Sequence, residues 1–216
     1  DFYKELKDLL PLNYSKGGVV EIGSGGGFIK EIIPEVATSD LFTAPWVDHV
    51  FSADKMPFKD GSVDAFLLLN VFHHLPKAEA CIKEMSRCLR PKGKIIMIEP
   101  ANTPWSRFVT KNFHHEMFDV KAGWDLEGEG RLSAGNGALP WIVFVRDKEV
   151  FKSSFPELII KKVKLHTPFR YMVTGGLSYK SFLPVLMYPV VQVFEFMLSP
   201  FNSTIAYFQT IEIEKQ

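Results

Sequence analysis

The chain has 216 residues, sets 25 basic against 25 acidic residues and is 46% hydrophobic. That length suits one domain, 1–216, with a sizeable core and room for an inserted subdomain. The even charge balance supplies no positive field for nucleic acid, so no nucleic-acid partner is expected.

In chain order, a short helical stretch at Phe2 to Leu10 precedes the first strand, Val19-Val20-Glu21-Ile22. An apolar run of this length before glycines suits a strand buried on both faces of a parallel sheet. Gly23, Gly25 and Gly27 follow at alternate positions. Such residues permit positive φ and leave no side chain between the loop and a ligand. The dinucleotide fingerprint would need a third glycine at position 28, which is Phe28. A phosphate-cradling loop would need Lys-Ser or Lys-Thr, and neither follows. What remains is E-x-G-x-G-x-G, whose acid suits a cationic ligand without phosphates, such as the amino-acid end of S-adenosylmethionine. The same glycines also suit a purely structural turn.

Val36 to Asp40 reads as a second strand ending in an acid able to hold ribose hydroxyls. After the segment Phe51 to Asp64, Ala65 to Asn70 is a buried strand that leads into His73 and His74. Helix signals run from Pro76 to Leu89, Arg90 to Gly93 is a turn, and Lys94 to Glu99 is another buried strand. Strands alternating with helices in this way predict a parallel α/β sheet. Cys81 and Cys88 fall on one helix, roughly 10 Å apart along its axis, too far to bridge. A reducing compartment follows, and nothing at the N-terminus reads as a signal peptide, so a cytoplasmic location is expected.

Residues 19–99 now resemble the core of Rossmann-type S-adenosylmethionine-dependent methyltransferases, the broad group that includes ubiquinone-biosynthesis and small-molecule enzymes. The resemblance rests on Glu21 to Gly27, Ala53-Asp54 with Met56-Pro57-Phe58, Asn70 with His73-His74-Leu75, and Leu89-Arg90-Pro91-Lys92-Gly93. It implies a Rossmann-like, doubly wound, mostly parallel sheet with an antiparallel last strand. It also implies S-adenosylmethionine as cofactor. Glu21, Gly23, Ser24, Gly25 and Gly27 would surround the methionine part, Asp40 would hold the ribose, and Leu41 would pack on the adenine. Asp54 would accept from the adenine amino group, with Lys55 and Met56 beside it, while Asn70 and Val71 would form the floor below the sulfonium. Two departures stand out. Only about a turn and a half of helix fits between Gly27 and Pro34, and the customary N-terminal lid is reduced to Phe2 to Leu10.

Beyond the fifth strand, residues 100–142 are rich in aromatics, His and Gly and are expected to form a cap over the ligand-binding end of the sheet. Trp105, His114, His115, Trp124 and Trp141 are its candidate substrate contacts. His73 and His74 are the candidate catalytic residues, able to take a proton from an oxygen nucleophile. Two adjacent side chains rarely meet one ion and no H-E-x-x-H spacing occurs, so His114-His115-Glu116 is not read as a metal site. Leu158 to Leu165 and Ile205 to Glu214 read as the last strands. Between them lies an apolar helical segment, residues 176–201, interrupted by Pro184, Pro189, Glu195 and Pro200. Those interruptions favour covering a pocket or touching a membrane peripherally over spanning one. The expected activity is methyl transfer to a small acceptor that is apolar or lipid-linked. A non-catalytic S-adenosylmethionine-binding regulator or partner protein is the alternative.

Overall fold

The computed structural model describes residues 2–114, 116–126, 135–176 and 183–216. Seven strands make one sheet. They are β1 (Val19–Ile22), β2 (Ala37–Asp40), β3 (His49–Val50), β4 (Val63–Leu69), β5 (Leu89–Pro100), β6 (Leu158–His166) and β7 (Phe208–Lys215). Their order is β3-β2-β1-β4-β5-β7-β6. β7 pairs antiparallel with both β5 and β6, and the other pairings are parallel. The doubly wound sheet with an antiparallel last strand is therefore as expected.

Alternation along the central strands builds two cores, because successive side chains point to opposite faces. Phe66 and Leu68 of β4 join Ile95 and Met97 of β5 on one face. Helices α2 (Ala78–Cys88) and α5 (Lys148–Ser154) cover that face through Ile82, Met85 and Phe151. Ala65 and Leu67 join Ile96 and Ile98 on the other face, under Leu6 of α1 (Phe2–Asp8) and Val109 of α3 (Pro104–Phe113). Each fully buried large side chain contributes about 1.5–3 kcal/mol. Cys81 and Cys88 are both free thiols buried under α2, in keeping with their spacing.

The Arg90 to Gly93 turn is absorbed into β5 as a bulge. Val63 pairs with Leu89 and Ala65 with Lys94, so Arg90 to Gly93 loop out opposite Asp64 alone. Lys92 takes φ 65° there. A Cβ on Gly93 would stand 2.9 Å from the Arg90 carbonyl oxygen, which explains the glycine.

The segment after β5 divides between the two faces. Thr103 caps α3 by accepting the Ser106 N–H at 3.0 Å, and Pro104 opens the helix where no N–H is needed. The following loop returns along the strand ends: the Leu126 N–H donates to the Pro76 carbonyl, and Lys77 bridges Asp125. A short helix α4 (Leu139–Trp141) then continues as a π-helical stretch, Ile142–Arg146, into α5.

A single turn, α6 (Arg170–Val173), precedes α7 (Tyr188–Met197). α7 turns most of its apolar surface outward, with Val193 60% and Phe196 78% exposed. Its anchor is polar. Buried Glu195 accepts the N–H groups of Phe169 and Arg170 at 2.9 and 2.7 Å and pairs with the Arg170 guanidinium. Among the described residues, no helix is long and apolar enough to cross a membrane. Residues 177–182 of the apolar segment lie outside the described residues.

Candidate active site

The strand order reverses between β1 and β4, and a crevice opens beyond their carboxyl ends, where ligands sit in open α/β sheets. β1 hands the chain to Gly23, at φ 70°. A Cβ there would meet the Val71 side chain at 2.7 Å, so glycine is required by packing. Ser24 fastens the turn to β2: its N–H donates to the Ser39 carbonyl at 2.9 Å, and its Oγ accepts the Ser39 N–H at 3.1 Å. Gly25, at φ 49°, faces open space where a Cβ would touch nothing within 4 Å. The Asp40 carboxylate accepts the N–H groups of Gly25 and Leu41, at 3.0 and 2.7 Å. The Trp46 indole N–H donates to the Gly25 carbonyl at 2.8 Å, with its ring against Gly27. After Gly27 the chain makes one 3₁₀ turn, Phe28–Glu31, shorter even than the turn and a half expected.

The crevice holds about 250 Å³. Gly23, Asp40, Leu41, Asp54, Val71 and His74, all candidates read from the sequence, line it. Ser39, Phe51, Leu75 and Pro76 line it as well, and sequence reasoning passed over them because they carry no motif. Cys81 also reaches the crevice, and burial pushes its thiol up to about 12. Lys55 and Met56 do not line it. Met56 is buried in the core and gives its N–H to Glu84 at 2.8 Å, while Lys55 is exposed.

Glu21 stands behind the glycine turn with its carboxyl buried. Burial pushes it up to about 7, against hydrogen bonds from Ser24 and from Tyr3 of α1. Its Oε2 has no partner, and neither has the buried Oδ1 of Asn70, which sits at φ 55°. Two unfilled acceptors and the space over Gly25 suit a ligand with a cationic, hydrogen-bond-donating end. Tyr3 was missed by sequence reasoning, since a tyrosine in a short terminal helix carries no positional signal.

His73 and His74 form the turn that follows β4. His73 Nδ1 lies 2.5 Å from Glu99 Oε2, and the other Glu99 oxygen accepts the N–H groups of Val71 and Phe72 at 2.9 and 2.7 Å. His73 Nε2 stands 3.3 Å from Glu116, whose second oxygen is 3.5 Å from His74 Nε2. Burial alone would lower the His73 pKa, but the Glu99 and Glu116 carboxylates outweigh it and hold it at about 9. Burial and the charge on His73 lower His74. Glu116, despite burial, is held down to about 2 by the hydrogen bond from His73 and by the three neighbouring histidines. Glu99 and Glu116 were not singled out as site residues. Glu99, at the carboxyl end of a central strand like Glu21 and Asp40, carried the signal that could have found it.

The remaining candidates scatter. His114 Nδ1 is 3.8 Å from Glu116, and His115 lies outside the described residues. Trp105 packs in the α1–α3 core and donates to the Pro168 carbonyl at 2.8 Å. Trp124 packs on the α2 face and donates to Asp147 at 3.0 Å. Trp141 lines a different concavity, beside β6. None of the three tryptophans lines the crevice, nor does any described residue of 183–201.

The strand order and its antiparallel last strand are the fold seen in solved S-adenosylmethionine-dependent methyltransferases. Residues 20–97 match a family model described as a methyltransferase domain. The chain is 36% identical, over 26% of its length, to a demethylmenaquinone methyltransferase of Beutenbergia cavernae. It is 28% identical over 43% of its length to the ubiquinone/menaquinone biosynthesis C-methyltransferase UbiE of Bartonella bacilliformis. The matches span 23% and 34% of those two relatives. A solved Thermotoga maritima methyltransferase, a possible histamine N-methyltransferase, superposes with a TM-score of 0.57 at 17% identity. That superposition covers 99% of this chain and 87% of the other, and it speaks to the fold.

Proposed function

We propose that this chain transfers a methyl group from S-adenosylmethionine to a small acceptor that is apolar or lipid-linked. The observation that carries the reading is the crevice itself. Gly23, Asp40, Leu41, His74, Leu75 and Pro76 line it, and the open space of Gly25 and the unpartnered Glu21 oxygen belong to the same glycine turn. The cofactor supplies a methyl already activated on a sulfonium. The chain's own part is to bind, orient and exclude water, which suffices for an in-line transfer between groups held in near-attack geometry. Glu21 and Asn70 would meet the amino-acid end, Asp40 the ribose, and Asp54 with Leu41 the adenine. Val71 would lie below the sulfonium.

The apolar acceptor is supported by the wall residues Phe51, Val71, Leu75 and Pro76 and by the quinone-biosynthesis names of the two relatives. The outward apolar face of α7 is where the chain would meet a lipid surface that delivers such an acceptor. Calorimetric titration with S-adenosylhomocysteine tests the cofactor half. Transfer of labelled methyl from S-adenosylmethionine to a panel of prenylated and unprenylated phenols tests the acceptor half. Labelling confined to unprenylated, charged acceptors overturns the apolar assignment.

The single 3₁₀ turn where a longer first helix is usual supports a second reading, a cofactor-binding partner protein without catalysis. Tight S-adenosylhomocysteine binding with no labelled product across the panel would favour it.

A further inference from the structure

Glu116 meets two histidines that lie far from it in sequence. His73 and His74 are themselves neighbours along the chain, but each turns its Nε2 to Glu116, an exception to the rule that adjacent side chains rarely meet one ion. The fold carries Glu116 back to His73 and His74, and one ligand atom from each of the three falls within 4.8 Å of the others.

The spacing within the cluster is informative. Charge-assisted hydrogen bonds close to about 2.7–2.9 Å. Here His73 Nε2 and Glu116 are 3.3 Å apart, and His74 Nε2 and Glu116 are 3.5 Å apart. Ligands about 2.0–2.1 Å from a tetrahedral zinc ion stand roughly 3.3 Å from one another, the edge of the tetrahedron. Both distances to Glu116 are close to a tetrahedral edge, so the groups that pair with each other here can also surround a common centre.

The support behind the cluster fits as well. A metal-bound histidine characteristically gives its other ring N–H to a carboxylate, which fixes the tautomer and the ring plane. His73 Nδ1 has such a partner in Glu99, itself held by two backbone N–H groups. His74 is fixed by packing, since a Cβ on Gly135 would come within 2.6 Å of its Nδ1. Its Nε2 is the nitrogen turned to Glu116, and the residue lines the crevice.

We propose that His73, His74 and Glu116 form a site for one divalent transition-metal cation of the zinc type, with an open coordination position towards the crevice. Two imidazoles and one carboxylate suit zinc, whereas magnesium and calcium want oxygen donors. Three protein ligands and a vacant fourth position is the arrangement of sites that take a ligand from solution. The open position would receive an anionic oxygen or sulfur of a molecule in the crevice. The cation site stands independently of methyl transfer, and its test reads metal content and spectra without reading turnover.

The protein, stripped with a chelator and dialysed, is titrated with zinc chloride by calorimetry and with cobalt chloride by visible absorption. The expected result is one equivalent of zinc bound at micromolar or tighter affinity. Cobalt should show d–d bands of a four- or five-coordinate site, and a hundredfold excess of magnesium should leave both unchanged. His74→Ala and Glu116→Gln, both at half-exposed positions, should each weaken zinc binding at least tenfold with the circular dichroism spectrum retained. His73→Ala would remove a buried ring, so the two half-exposed variants carry the decision. No uptake at millimolar zinc, displacement by magnesium, or unchanged affinity in both folded variants would each overturn the proposal.

Discussion

The Asp40 carboxylate accepts the Gly25 N–H at 3.0 Å, so the end of β2 holds the glycine turn that leaves β1. The same carboxylate is the proposed ribose acceptor, which joins the shape of the loop to ligand recognition in one side chain. Asp40→Ala should therefore cost more in affinity than Asp54→Ala. Removing one acceptor from a ligand donor costs about 1–3 kcal/mol, and Asp40→Ala also releases the loop. Calorimetry with S-adenosylhomocysteine on both variants checks the order. Equal losses would show that the Asp40–Gly25 bond adds nothing to binding.

Gly25→Val should abolish cofactor binding and leave the chain folded, though weakened. A Cβ at this position meets no protein atom within 4 Å, so the branched side chain would fill ligand space and spare the core. Its positive φ disfavours a branched residue locally, by an amount on the order of 1–3 kcal/mol. Circular dichroism and calorimetry on one preparation separate the two effects. Wild-type affinity in the folded variant would move the ligand away from this loop.

Glu21 should make both stability and cofactor binding depend on pH. Burial raises its carboxyl from 4.5 to about 7. Between those values the unfolded chain has released a proton that the folded chain retains. Its contribution to stability is thus fully present below 4.5 and lost as pH rises through 7. At about 1.4 kcal/mol per pKa unit, the loss is about 3 kcal/mol. The wild-type melting temperature should fall across that window relative to Glu21→Gln. A cationic ligand favours the carboxylate, so binding should release a proton near pH 6 and strengthen as pH rises to 7. Calorimetry in buffers of different ionisation enthalpy measures that proton. Uptake of a proton would contradict the placement of Glu21 beside a cation.

Glu195→Ala should release α7 from the body of the protein. The substitution removes the acceptor of two N–H groups and the carboxylate partner of the Arg170 guanidinium. Breaking a buried pair of this kind typically costs about 3–5 kcal/mol. Hydrogen exchange should rise in Phe169, Arg170 and α7 well before β4 or β5 responds. Uniform destabilisation would mean that α7 and the sheet unfold as one unit.

The parts legible in the sequence were those governed by neighbours along the chain. Unbroken apolar runs at Phe66 to Leu69 and at Ile95 to Ile98 announced strands buried on both faces. The glycines at 23, 25 and 27 announced a turn with positive φ, and Glu21, Asp40 and Asp54 announced acids at strand ends. These features need only the backbone geometry of a few consecutive residues, and they sufficed for the class of fold and for the place of the crevice. Only the tertiary structure decided what depends on distant segments meeting. It brought Glu99 and Glu116 to His73, set Cys81 on the crevice wall, placed Trp141 beside β6, and turned Phe196 outward. Each of those outcomes depends on where a connecting segment comes to rest. That resting place is chosen by packing and by the pairing of buried charges across the whole molecule, which no local periodicity records.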